Sequence, residues 1–425
     1  MLVDFRIKNF RSFKEAATFS MVASTDRAKL ANNIIETSNS SVPRLLKVAG
    51  TYGANASGKS NLVKAFQLMQ DLVAKSAIVE PNRRLPAQPF RLCKSKTDEP
   101  TEFEITFLHE EVRYQFGFAF TAKQITNEWL LVYKTSKAQM WYSRDYDAEK
   151  DAYKYKFGPN LLGAKTTWRD ATRPKSLFLS TAVQLNSEQL KPVFDWITKN
   201  LIIFHNKDSL EFTNISDTVE YIKRQGPDTV RKFLSAADIA IDNIEIKSYP
   251  GIVQSFQLDT TTGKLSNTHE ERALELPAFL HTTKETSATF DFADESDGTQ
   301  RLFALVGPLF EILARGQVII VDELDRSLHA LLVHHLIERF QLASTDRNQA
   351  QLIFTSHDTS ILSTNLLRRD QIWFTEKDEN QSSKLFPLTD FAPRKEEAFE
   401  RGYLSGKYGA VPILDTWKLG VKDHF

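Results

Sequence analysis

An α/β fold is predicted, with a mixed sheet interrupted by an inserted α+β lobe, and three features of the sequence predict it. Short apolar runs such as Val318-Ile319-Ile320-Val321 alternate with amphipathic stretches in the last third, the mark of buried parallel strands joined by helices. Near the N-terminus a glycine-bearing turn separates an apolar run, 45–50, from a helical stripe. The middle of the chain lacks that alternation and mixes strand-like with helix-like segments.

Taken in order, Val3, Phe5 and Ile7 alternate with Asp4, Arg6 and Lys8, the period-2 pattern of a half-buried strand. After the run at 45–50 and its turn, Leu62, Val63, Phe66 and Met69 stand at helical spacing. Phe103, Ile105 and Phe107, then Tyr114, Phe116, Phe118 and Phe120, alternate on either side of His109-Glu110-Glu111, which predicts an antiparallel hairpin. From 121 to 285 the pattern changes. Strands are expected at 129–133 and 241–246, a polar stretch at 141–156, and helical stripes at Leu190, Val193, Phe194 and Ile197 and at Val219, Ile222, Val230, Phe233 and Leu234. The last third returns to alternation: a strand at 318–321, a helix through Leu332, Leu336, Ile337 and Phe340, a strand at 352–354, a helix at 360–367 and a strand at 372–374. The expected division is 1–120, an inserted lobe at 121–285, and 286–425.

Composition narrows the classes. Among 425 residues Lys and Arg number 54 and Asp and Glu 54, so the formal net charge is zero, which disfavours a coat for nucleic acid. Hydrophobic content of 41% and charged content of 25% exclude whole-chain disorder. The single cysteine, Cys93, excludes an intramolecular disulfide and a thiolate-rich zinc site and fits a reducing compartment. With no secretory pattern at the N-terminus and no apolar run approaching roughly 18 residues, a cytoplasmic protein with no membrane partner is expected.

Gly53-Ala54-Asn55-Ala56-Ser57-Gly58-Lys59-Ser60 matches Gly-x-x-x-x-Gly-Lys-Ser between a strand and a helix. In that setting the backbone N–H groups from Asn55 to Asn61 and the helix N-terminus surround phosphate oxygens. Lys59 then reaches the β and γ phosphates of ATP, and the Ser60 hydroxyl ligates Mg²⁺. Asp322-Glu323 ends the apolar run at 318–321, at the carboxyl edge of the sheet. Asp322 is the expected magnesium ligand, through water, and Glu323 the group that activates the attacking water. Ser296 and the Gly298 amide precede a helical stripe (Leu302, Leu305, Val306, Leu309) and suit a phosphate at a helix start. His357 follows the strand at 352–354, where it suits contact with a γ-phosphate. The order of the four elements, more than either of the last two alone, carries the reading.

With these motifs the chain resembles the ATP-binding-cassette (ABC) ATPases of the RecF and SMC type, most closely the stand-alone ATPases of bacterial abortive-infection and anti-phage systems (RloA/AbiL-type, PtuA-related). Residues 1–13, ending Asn9-Phe10-Arg11-Ser12-Phe13, resemble their opening strand and turn. Residues 53–60 are similar to their Walker A, 295–300 to their signature motif, 318–323 to their Walker B, and His357 to their switch histidine. Arg401-Gly402-Tyr403-Leu404-Ser405-Gly406-Lys407-Tyr408-Gly409-Ala410 resembles the subgroup's C-terminal motif, and Leu177-Phe178-Leu179-Ser180 its middle lobe. Three departures stand out. The signature reads Ser-Asp-Gly-Thr-Gln rather than the transporter form, His329 stands where many cassettes carry the D-loop aspartate, and Gln88 and Gln124 both remain open for the glutamine loop.

The resemblance implies an ABC-type P-loop ATPase head that hydrolyses ATP with Mg²⁺. Its subunits pack head to tail, at least as a dimer, so that Ser296 of one closes on the γ-phosphate held by Lys59 of the other. It also implies a separate effector such as a nuclease or toxin, with DNA or a phage-derived trigger as a further partner. A RecF-like DNA-binding ATPase is the alternative, and a transporter subunit is disfavoured by the signature and the long insertion. The basic pairs Arg83-Arg84 and Arg368-Arg369 are candidates for phosphate contacts but read better as surface charge. Trp129, Trp141, Tyr142, Tyr146 and Trp168 read better as core than as a docking surface. Adjacent His334 and His335 point to different sides of a helix and do not form a metal pair.

Overall fold

The computed structural model describes residues 1–25, 31–80, 83–205, 213–258, 265–326, 330–342, 349–362, 366–393 and 398–411. His329 lies outside these residues, as does part of the helix expected at 360–367, whose described start is a 3-10 turn, Thr359–Leu362. The fold class is α/β, and the chain divides into two compact units, Met1–His205 with Gly316–Arg326 and Val333–Phe425, and Asn206–Arg315 with Ser327–Leu332.

The first unit holds two large sheets. One has six strands in the order β11 (Leu201–Phe204), β15 (Val318–Val321), β16 (Gln351–Thr355), β5 (Val48–Tyr52), β17 (Ile372–Lys377) and β18 (Ser383–Pro387). The first five run parallel and β18 returns antiparallel. Strands β15, β16 and β5 are buried at every position, as expected of runs covered on both faces. The other sheet is antiparallel. Its order is β10 (Ala152–Phe157), β9 (Gln139–Asp147), β8 (Ile125–Tyr133), β7 (Val112–Phe120), β6 (Thr101–His109), β1 (Leu2–Lys8) and β2 (Ala17–Ser20). A small pair, β3 (Ile34–Glu36) with β4 (Arg44–Leu46), lies outside both.

Helix α1 (Lys59–Lys75) buries Leu62, Val63, Phe66 and Met69 in one cluster with Phe5 and Phe103 of the antiparallel sheet and with Leu201, Val318 and Ile353 of the parallel one. Phe66 stacks on Phe5 at 3.7 Å between ring centres. The Gln351 amide donates to the carbonyls of Leu2 and Leu46 and accepts from Leu2 N–H, which ties the first strand of one sheet to a central strand of the other.

Beyond β7 the antiparallel sheet does not stop. Phe120 pairs with Ile125 and Phe116 with Leu130, and the polar stretch at 141–156 forms the β9–β10 hairpin. The boundary expected at 120/121 therefore moves to 205/206, because cross-strand pairing carries the same sheet on. The expected 285/286 boundary moves too, since Asp297–Arg315 belongs to the second unit. Trp141, Tyr142 and Trp168 are core residues, as read, whereas Trp129 and Tyr146 are half-buried.

Wholly buried Glu128 of β8 lies 3.8 Å from equally buried Arg144 of β9. The carboxylate accepts hydrogen bonds from Tyr142 Oη and from Phe178 and Leu179 N–H, the open N-terminus of α4 (Phe178–Gln184). Arg144 donates to the carbonyls of Ser176 and Arg173 and stacks over Tyr153. Burial pushes the Glu128 carboxyl upward, opposed by Arg144 and these hydrogen bonds. The Leu177-Phe178-Leu179-Ser180 segment is thus docked by a buried charge through its backbone, and its apolar and small side chains are all buried.

The second unit contains α6 (Thr213–Gln225), α7 (Asp228–Ala236), α8 (Asp297–Arg315) and a three-stranded sheet ordered β12 (Asn243–Leu258), β13 (Leu265–Thr282) and β14 (Ser287–Asp291). Helix α8 contains Pro308, and Thr218 of α6 inserts its hydroxyl there, donating to the Phe303 carbonyl and accepting from Gly307 N–H. A Cβ on Gly307 would lie 2.4 Å from Thr218 Cα.

Glu128→Gln is expected to destabilise by about 3–5 kcal/mol, because it leaves Arg144 buried and unpaired, and Glu128→Gln with Arg144→Met should recover part of that loss. Urea midpoints followed by tryptophan fluorescence decide it. For Gly307→Ala, helix propensity gains about 1 kcal/mol while overpacking against backbone costs about 1–3 kcal/mol. A net fall in the thermal midpoint is expected, and a rise would contradict the close approach.

Candidate nucleotide site

Four parallel strands end together. Phe204, Val321 and Phe354 are partners across β11, β15 and β16, and Thr355 is the partner of Thr51 in β5. The residues that follow, at the carboxyl edge where such sheets bind ligands, are His205, Asp322-Glu323, Ser356-His357 and Gly53.

The loop at 53–60 leads from β5 into α1. Gly58 has φ 124° and its missing Cβ would lie 2.4 Å from Ser383 Oγ, so only glycine fits. Asn55 and Ala56 are exposed, and Ala56 sits at φ 62°, a left-handed conformation costly for a residue with a Cβ. Ser57 turns inward. Its hydroxyl bonds Thr375 Oγ1 at 2.7 Å and its carbonyl accepts from Ser383 Oγ, so its side chain braces the loop instead of facing a phosphate. Asn61 is likewise taken, donating to Ser12 Oγ at 2.7 Å. Lys59 is buried and donates to the carbonyls of Gly53 and Ala54 at 2.7 and 3.1 Å. Burial lowers its ammonium to about 8, against the opposing pull of Asp322, Glu323 and Asp325.

Across from the loop, Thr355 organises the acidic pair. Its hydroxyl donates to Asp322 Oδ1 at 2.7 Å and accepts from Glu323 N–H at 2.8 Å. Burial raises the Asp322 carboxyl, but the nearby His205 ring, the Thr355 hydrogen bond and the nearby Ser60 hydroxyl outweigh it and leave the group below its usual range. Glu323 sits at φ 53°, a strained position of the kind found where function over-determines geometry, and its Oε2 accepts from Arg326 at 3.0 Å. His357 is exposed, and its N–H lies 3.3 Å from both Asp325 oxygens.

Ser60 and Asp322 therefore meet, supplying the hard oxygen donors that magnesium takes. No cluster of three or more His, Cys, Asp or Glu able to hold a metal occurs among the described residues. The donor set fits a cation held mainly by nucleotide phosphates and water, with Ser60 and Asp322 as its protein contacts.

Ser296 caps α8. Its Oγ accepts from Thr299 N–H at 3.2 Å, and Ser296, Asp297 and Gly298 are exposed. Gln300 donates to the Glu295 carbonyl, and His281 Nε2 lies 2.7 Å from Glu295 Oε1, so the turn is held from both sides while its serine faces solvent.

Residues 49–363 match the family described as "AAA domain, putative AbiEii toxin, Type IV TA system". The chain belongs to that family. It is a P-loop AAA-type ATPase domain. No curated protein matches it. Among solved structures, the SMC head domain from Thermotoga maritima is 11% identical with a TM-score of 0.38, covering 91% of this chain and 98% of that one. The Smc head domain with an extended coiled coil bound to the C-terminal domain of ScpA, from Pyrococcus furiosus, is 10% identical with a TM-score of 0.44, covering 96% and 99%.

Sequence reasoning missed Thr355, Thr375, Ser383 and His205, whose isolated polar side chains carry no pattern of their own, and gave Ser12 no role beyond its place in the opening turn. Neither glutamine considered for the glutamine loop has a hydrogen bond to Asp322 or Lys59. Gln88 accepts from Arg11 N–H and Gln124 from Thr121 N–H. Arg368 is buried and paired with Asp370 at 2.9 Å, which removes it as a surface phosphate contact, while Arg83 and Arg84 are exposed. The C-terminal motif packs on β17. Tyr403 stacks on Phe374, and Ala410 N–H donates to Glu376, placing Tyr403 6.5 Å from Tyr52, the residue before the phosphate loop.

Nucleotide binding should take up a proton above pH 8. The free Lys59 ammonium titrates near 8, and phosphates favour its charged form, so the complex keeps a proton that the free protein loses. Affinity for metal-free ATP should be flat below that value and fall up to about tenfold per pH unit above it. Calorimetry near pH 9 in buffers of different ionisation enthalpy measures the uptake; equal apparent enthalpies would contradict it.

Proposed function

We propose that this chain is the ATP-binding and ATP-hydrolysing regulatory subunit of an anti-phage, abortive-infection system, working in the cytoplasm as a head-to-tail dimer or higher oligomer that controls a separate effector. The observation that carries it is the acidic edge beside the phosphate loop: Asp322 and Glu323 after β15 and Lys59 and Ser60 at the start of α1, at the same sheet edge, with an exposed signature serine at the start of a 19-residue helix. In this reading Lys59 and the loop hold the phosphates, Ser60 and Asp322 hold Mg²⁺, and Glu323 orients water. Ser296 of a second subunit closes on the γ-phosphate, so that nucleotide state sets subunit affinity. The segment between the two halves of the head makes oligomer contacts and docks the partner. The toxin–antitoxin context of the family supports a defence role. No helix among the described residues is long and apolar enough to cross a membrane.

A cavity of about 390 Å³ lined by Arg11, Arg91 and Lys377, with no carboxylate among its lining residues, favours a second reading as a DNA-binding ATPase. ATP-dependent DNA binding that weakens steeply with salt would select it.

Specific ATPase activity should rise with protein concentration, and Glu323→Gln should lower kcat by roughly 10²- to 10⁴-fold while retaining ATP and the dimer. Constant specific activity with no dimer by light scattering would sink the head-to-tail mechanism. Purification of Glu323→Gln beside wild type tests effector control: a partner should be retained in one nucleotide state and lost in the other. Toxicity of the purified chain acting alone would overturn the separate effector.

A further inference from the structure

Asp322 stands between two side chains from neighbouring strands. On the β16 side Thr355 grips Oδ1 at 2.7 Å. On the β11 side His205 Nδ1 lies 3.4 Å from Oδ2. The backbone sets this proximity, since Phe204 and Val321 are register partners and Asp322 N–H donates to the Phe204 carbonyl. His205 and Asp322 are the next residue of each strand.

The pair is sheltered, with 19% and 8% of the respective side chains exposed. His205 Nδ1 is buried and has no completed hydrogen bond among the described residues. Its separation from Oδ2 is slightly beyond the usual N–H···O range, close enough for attraction and for a small movement to close it. A buried ring nitrogen without a partner is costly, and the group within reach is a carboxylate oxygen already polarised by its neighbours.

A carboxylate held at one oxygen still swings about its Cβ–Cγ bond. Held at both, it presents its remaining lone pairs in one direction. Groups that orient a ligand carboxylate in this way normally set metal affinity without touching the metal.

We infer that His205 is a positioning residue for the reaction proposed above, fixing Asp322 through Nδ1–H···Oδ2 so that the carboxylate meets the hydrated divalent cation carried by the nucleotide. The inference rests on the ATPase reading of this site.

The test uses the full chain with Mn²⁺ and a non-hydrolysable ATP analogue, bound manganese being read by electron paramagnetic resonance. His205→Ala and His205→Leu should weaken Mn²⁺ in the ternary complex by about 10- to 100-fold, with metal-free analogue affinity within about twofold of wild type. His205→Gln, whose amide can donate to Oδ2, should recover most of the loss. In turnover, His205→Ala should need more Mg²⁺ yet approach wild-type kcat at saturation. Wild-type Mn²⁺ affinity in both His205→Ala and His205→Leu would overturn the inference, as would a His205→Gln variant no better than alanine. A parallel loss of metal-free analogue binding would assign His205 a purely structural role and overturn it too. If wild type binds the metal-free analogue but His205 variants alone behave otherwise than described, only this inference fails. If wild type binds neither the analogue nor its Mn²⁺ complex, the ATPase reading fails and this one with it.

Discussion

Matched register of β11, β15, β16 and β5 brings four chain segments, far apart in sequence, to one level at the carboxyl edge of a buried parallel sheet. Parallel strands cannot be joined by tight turns, so every connection must leave the sheet and return. Residues between strand ends are then free to be long helices, lobes or loops without disturbing the edge. The chemistry inherits its geometry from this alignment. Lys59 faces the acidic pair because β5 and β15 flank β16, and the Thr355 hydroxyl at the end of β16 bridges to both Asp322 and Glu323.

The antiparallel sheet serves that edge indirectly. It packs on α1, the helix that follows the phosphate loop, through Phe5, Phe66 and Phe103. The Asn9-Phe10-Arg11-Ser12-Phe13 turn then reaches the loop itself, because Ser12 Oγ accepts from Asn61 and lies 2.7 Å from Ser383 Oγ. At the far end the buried Glu128–Arg144 pair docks α4. Such a pair contributes little net stability against an apolar equivalent, but it is intolerant of losing one member. Its value is in selecting one docking geometry, since the carboxylate must meet two backbone N–H groups at a helix start.

Strain collects where the chemistry is. Ala56 and Glu323 both occupy left-handed backbone, and each costs on the order of 1 kcal/mol or more. Neighbouring contacts over-determine both. Glu323 N–H is held by Thr355, and the loop around Ala56 is clamped by Thr375 and Ser383 acting on Ser57. The C-terminal motif adds to the clamp by stacking Tyr403 and Tyr408 on Phe374, one residue before Thr375.

By itself the sequence determined the phosphate loop, the acidic strand end, the histidine after β16 and the alternation that makes the last third an α/β sheet. These are legible because each is written in adjacent residues: a strand, a turn and a helix in a row, or a wholly apolar run ending in acid. Tertiary structure alone decided which other side chains join them. Thr355 meets Asp322 across 33 positions, Ser57 meets Thr375 across 318, and Ser12 meets Ser383 across 371. His205 reaches Asp322 only because β11 is the strand beside β15. The boundary at 205/206 was hidden for the same reason, since sheet continuity is a property of strand pairs and a single strand's pattern does not name its neighbour. Local periodicity specifies which face of an element is buried, and strand order and register specify what that face and its ends will touch.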